Sequence, residues 1–240
     1  MRYLCLLLFL MLAACSKTLS DQEYEAASQR SANWFAQNYE LIHDKQVMQY
    51  FDELTSRLDR SAQYERASDG ASRHTNGKPW TILVAKSKSP NAFSLGSRTI
   101  VVTTGLLTIL DTEAELAAVI AHEMAHELLG HTREQYPTDN SPRPNIVFEP
   151  EHELAADELS IQIINHAAYD ARGTLMSLAR LYRPHGANVV TADRKLANER
   201  LGRSYLEVFS HTRPLTPGVI RSRDFARMQA RVFAILHKPA

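Results

Sequence analysis

The sequence predicts an α+β fold: one mostly helical domain with a small antiparallel β-sheet. Long stretches toward both ends repeat apolar residues at helical spacing, while short stretches between residues 80 and 103 alternate apolar and polar. Breaks rich in Gly, Pro and Ser separate them. At 240 residues, with 44% hydrophobic and 22% charged, the chain has the composition of a globular body and not of a disordered or polytopic one.

The elements follow in chain order. Met1-Arg2 sets one positive charge before an apolar run, Tyr3 to Ala14, too short to span a bilayer and suited to the core of a signal peptide. The run ends Leu12-Ala13-Ala14-Cys15, which resembles the bacterial lipobox, in which the cysteine is acylated and becomes the new N-terminus. Residues 1–14 are therefore expected to be a lipoprotein signal peptide, Cys15 the lipidation site, 15–20 a lipidated tether, and 21–240 a single domain. Acyl chains on one residue anchor stably, because each buried methylene adds about 0.8 kcal/mol. Ser16, where an Asp implies inner-membrane retention, implies by the same resemblance the outer membrane, facing the periplasm. With Cys5 lost and Cys15 lipidated, neither a disulfide nor a cysteine metal site is expected.

Asp21 to Tyr39 and Leu41 to Tyr64 read as helices, with Val47, Tyr50, Phe51, Leu54 and Leu58 on one face. Residues 65–79 read as a loop and Trp80 to Lys86 as a strand. Asn91 to Leu95, Gly96-Ser97 and Arg98 to Thr103 read as a hairpin, with Gly96 first in a II′ turn. Thr112 and Glu115 form a capping box ahead of a helix that runs to Gly130. Four prolines make 135–150 irregular, and helices follow over Glu151 to His166, Ala171 to Arg183, Asp193 to Ser210 and Gly218 to His237.

Basic and acidic residues balance at 27 each, which argues against a nucleic-acid partner, and no glycine-rich phosphate cradle occurs. The balance is uneven along the chain: residues 180–238 carry 12 basic and 4 acidic side chains. Solvated helix faces account for this cap, with contact to anionic lipid or an acidic partner as the rival.

The chemistry lies in His122-Glu123-Met124-Ala125-His126. Four residues turn a helix by about 400°, so both imidazoles project from one face toward one tetrahedral metal. Ala118, Val119 and Leu129 share that face, and Glu123 sits where a carboxylate can act as a base. A chain of this composition shows the pattern by chance about 3% of the time. A catalytic zinc needs a third protein ligand. Glu153 and Asp157, one turn apart on the next helix, suit a ligand and a hydrogen-bond acceptor for a ligand histidine; Glu149 and Glu151 are rivals without such an Asp. His131 reads as a partner for the carbonyls at its helix end, and His43, His152, His166 and His185 as surface or packing residues.

Asn91-Ala92-Phe93 with the hairpin, Thr104-Gly105-Leu106-Leu107, Glu113 to Val119 leading into His122 to His126, and Glu153-x-x-Ala156-Asp157 together resemble zinc metalloproteases of the HtpX and CAAX-prenyl-protease type, a gluzincin family. Leu129 and Thr132 stand where a metzincin has glycine and histidine. The resemblance implies a zincin-like domain with its small sheet beside the active-site helix, one Zn2+ per chain on His122, His126 and Glu153, and Glu123 as catalytic base. It further implies a substrate edge strand over Arg98, Thr99, Ile100, Val101, Val102 and Thr103, and His211 as a second catalytic residue assisted by Arg213 or Arg221. The expected activity is endopeptidase action on unfolded or misassembled envelope proteins. The alternative is a lipid-anchored chaperone-like or binding protein whose zinc is structural or whose cleft is plugged by 135–150. Oligomeric state stays open.

Overall fold

In the computed structural model, residues 19–68, 78–136, 147–182, 191–210, 218–220 and 222–238 are described. Among them the order is α1 (Asp21–Asn38), α2 (Lys45–Ser68), β1 (Thr81–Ala85), β2 (Ala92–Gly96), β3 (Thr99–Thr103), α3 (Thr104–Ile109), α4 (Glu113–Leu129), α5 (His131–Glu134), α6 (Pro150–His166), α7 (Arg172–Leu181), α8 (Thr191–Ser210) and α9 (Arg223–Leu236). The domain is mostly helical α+β, as expected. The short helices α3 and α5 went unread, being too brief for a period to show.

The sheet corrects the expectation of an all-antiparallel one. Its order is β1-β3-β2, with β2 antiparallel and β1 parallel to β3. The connection from β1 to β2 is too long for a tight hairpin and is tied to the start of α3, where Gly105 N–H donates to Ser87 O at 2.7 Å. A Cβ on Gly105 would lie 2.4 Å from Lys88 O, so this close approach requires glycine. The outer edge of β1 is met by Leu41, in an antiparallel bridge to Ala85.

The turn also differs. Ser97 (φ 42°) and Arg98 (φ 65°) are the central residues, both left-handed as in a I′ turn, and Gly96 (φ 79°) forms the adjoining irregularity in register. Arg98 is held in this conformation by an ion pair with Asp59 at 2.5 Å and by stacking over Trp80.

Alternation along the strands divides the core. Ile82, Val84, Ile100 and Val102 join the main cluster with Phe51, Leu58, Leu116, Ile120, Met124, Ile163 and Phe225. Ala85 and Val101 face the other way, into a small cluster closed by Phe35 of α1 and by Leu95. Helix α4 is buried along nearly its whole length, from Glu113 to His126, between the sheet and helices α6 and α7. Among the described residues no helix is long and apolar enough to cross a membrane.

Candidate metal centre

Helix α4 delivers its motif because both ends are specified locally. Thr112 accepts from Glu115 N–H and Glu115 reaches back to Thr112 N–H, closing the capping box; Gly130 at φ 87° ends the helix. His122 Nε2 and His126 Nε2 converge to 3.0 Å. Pro150 in the first turn starts α6, which places Glu153 Oε2 3.5 Å from His122 Nε2 and Glu153 Oε1 3.7 Å from His126 Nε2. Donor atoms around a tetrahedral zinc at about 2.0–2.1 Å lie about 3.3 Å apart. The three side chains fit such an ion, and they form the one candidate metal cluster among the described residues.

The remaining charges fit as well. Asp157 Oδ1 lies 3.0 Å from His122 Nδ1, close but off the line of its N–H. Arg200 of α8, almost fully buried, grips both Asp157 oxygens at 2.7 and 2.8 Å, meets Glu153 Oε2 at 2.5 Å and donates to Tyr182 Oη at 2.8 Å. Glu123, Glu153 and Asp157 thus bring three carboxylates against one fixed cation, a balance that suits a dication.

The titrations follow from this crowding. Burial, with the charge of Glu153, raises Glu123 to about 7 against the pull of His122 and of Ser94 N–H, which donates to Glu123 Oε2 at 3.1 Å. For His122 burial acts downward, but the Asp157 and Glu153 carboxylates outweigh it and raise it to about 9. Burial acts upward on Glu153 and Asp157, yet His122 and Arg200 hold both below the usual carboxylate range. His126 is pushed down by burial and then by the charge of His122, which keeps it neutral as a ligand must be.

A cleft of about 500 Å³ opens over these residues, bounded by Ala92 and Phe93 of β2, Val119 of α4, Leu178 of α7 and Phe148. The strand beside it is β2, and this corrects the edge-strand expectation: β3, with Thr99 to Thr103, is the central strand, paired on both sides, so it has no edge to offer. Glu149 and Glu151 are exposed, away from the cluster. Cys15, His185, His211, Arg213, Arg221 and residues 137–146 of the proposed plug lie outside the described residues.

Sequence reasoning missed Arg200, counting it with the basic surface. Its signal was available: Ala197, Arg200, Ser204 and Val208 form the buried stripe of α8, and an arginine there needs buried carboxylates. His131, expected to partner the carbonyls at its helix end, also brings its ring to that of His126. His43 and His166 are exposed, as surface histidines should be.

A helix carrying His-Glu-x-x-His, met by a carboxylate from a second helix, is the arrangement that metallopeptidases use, and the comparisons with known proteins point the same way. Residues 54–140, holding His122, Glu123 and His126 but ending before Glu153, match the profile of peptidase family M48. The chain is 28% identical over 137 residues to the mitochondrial metalloendopeptidase OMA1 of Arabidopsis thaliana, covering 48% of this chain and 28% of that one. It is 34% identical over 103 residues to the metalloprotease LoiP of Escherichia coli K12, covering 38% of this chain and 40% of that one. The chain thus spans well under half the length of these curated relatives. The likenesses support the M48 family and a metallopeptidase.

Proposed function

We propose that this protein is a zinc-dependent endopeptidase of the bacterial envelope, anchored by lipid on Cys15 to the outer membrane, which hydrolyses unfolded or misassembled envelope proteins. The observation that carries the enzymatic part is the convergence of His122, His126 and Glu153 with Glu123 beside an edge strand. The lipobox supports the anchor, and the resemblance to HtpX-type proteases supports the substrates. His122, His126 and Glu153 would hold a zinc ion, and its Lewis acidity would be available to polarise a carbonyl and to bring the pKa of a water to about 7.

The chain's own residues do the rest. Substrate adds as a strand along Asn91 to Phe93, at the cleft edge of β2, a mode that reads backbone more than side chains. Glu123, its carboxylate oriented by Ser94 N–H and its proton affinity lifted by burial toward neutrality, takes a proton from the attacking water and passes it to the leaving nitrogen. Arg200 holds Glu153 and Asp157 in place throughout. His211 is proposed to stabilise the tetrahedral oxyanion.

A second reading has one contact in its favour. Phe148 stacks on His126 with ring centres 3.8 Å apart and, with Val147, lines the cleft, as a plug in a latent protease or binding protein would. Incubation of the mature protein with unfolded casein, with and without a chelator, tests both. The enzyme reading expects chelator-sensitive fragments, and Glu123→Gln should keep zinc while losing activity by on the order of 10² or more. Casein bound but uncut by wild type favours the second reading.

A further inference from the structure

The two histidines of the centre have different partners behind them. His122 Nδ1 faces a carboxylate, Asp157. His126 Nδ1 faces an imidazole instead: Nδ1 of His131 lies 3.1 Å away. Since His126 Nε2 points at His122 and Glu153, a ligating His126 carries its ring proton on Nδ1, and His131 Nδ1 is then the acceptor. Metal-bound histidines are commonly oriented through their second nitrogen in this way, usually by a carboxylate, a carbonyl or water.

We propose that His131 is a positioning residue for the metal centre, accepting the Nδ1 proton of His126 and so fixing the tautomer and ring plane that aim Nε2 at the ion. The inference rests on the metal-site reading above. Gly130 makes the geometry available. A Cβ at 130 would meet nothing within 4 Å, so glycine serves there for its left-handed φ of 87°, which folds the chain back to seat His131 beside the helix it has just left. His131 is itself held, buried and stacked on His152 with ring centres 4.1 Å apart and planes 18° apart. Because His152 precedes the ligand Glu153 on α6, one stack ties α4, α5 and α6 together behind the site. An imidazole in this place adds no further carboxylate to a buried site that already holds three beside Arg200.

The test is zinc affinity, measured by competition with a chromogenic chelator, for full-length wild type, His131→Asn, His131→Leu and His131→Gln. Asn sets its amide oxygen as many bonds from Cα as Nδ1, whereas Gln moves it one carbon further and Leu removes it. The expectation is that Leu and Gln weaken zinc binding about 10–100-fold while Asn stays close to wild type. If Leu fails to fold, judged by circular dichroism of the metal-free protein, the Asn and Gln pair decides. Wild-type affinity in Leu or Gln, or equal loss in Asn, overturns the proposal and leaves the metal centre standing. A wild-type protein that binds no zinc overturns both.

Discussion

Burying Glu123 has a cost that can be measured without substrate or metal. Its carboxyl titrates at 4.5 when free of the fold and at about 7 in place. Between those values the folded protein keeps a proton that the unfolded chain has released, so stability must fall as pH rises through the window. At about 1.4 kcal/mol per pH unit, the full rise is a penalty of about 3 kcal/mol, complete above pH 7 and absent below pH 4.5. Glu123→Gln removes the ionisation, and its amide oxygen can still accept from Ser94 N–H. Urea unfolding of chelator-treated wild type and variant at intervals from pH 5 to 8 compares them. The absolute difference at any one pH includes the new amide's own hydrogen bonding, so the trend is what counts. The variant should gain on wild type by up to about 3 kcal/mol as pH rises. A gap that stays constant, or narrows toward pH 8, would refute the claim that burial holds this carboxyl near neutrality.

Three further outcomes are expected. Arg200→Met takes the guanidinium from buried Glu153 and Asp157, leaving them His122, and should destabilise the metal-free protein by about 3 kcal/mol in the same unfolding assay, with a loss smaller than about 1 kcal/mol counting against the fork. Gly173→Ala places a methyl 2.4 Å from Ala114 O, where α7 crosses α4, and should cost about 1–3 kcal/mol with a matching drop in melting temperature. Cys15→Ala should leave the outer-membrane fraction, and a variant still pelleting with membranes would dispose of the lipid anchor.

How much of this was legible in the primary structure depends on the range of the forces involved. The capping box at Thr112, the left-handed stop at Gly130 and the four-residue spacings of His122 with His126 and of Glu153 with Asp157 are set within a helical turn or two, so local rules find them. So does the alternation that splits the strands between two cores. Strand order escaped, because a period of two says which face a residue takes and not which strand lies beside it. The family resemblance implied an edge at β3, and nothing in the pattern could show that β2 holds it instead. The turn shifted by one residue because Arg98 draws the energy to sit at φ 65° from Asp59 and Trp80, far back in the chain.

Arg200 and His131 show the same limit within the site. Arg200 reaches Asp157 across 43 residues, and in sequence it differs little from the exposed Arg203 three places on, which pairs with Glu199. His131 stands five residues from His126, yet their meeting depends on a reversal at Gly130 and on the ring of His152 from another helix. Residue types and helical phase determined which chemistry the chain could perform. Tertiary packing decided which carboxylate, cation and strand surround it, because burial raises the strength of each charge and the cost of leaving it unpaired, and burial exists only once distant segments have met.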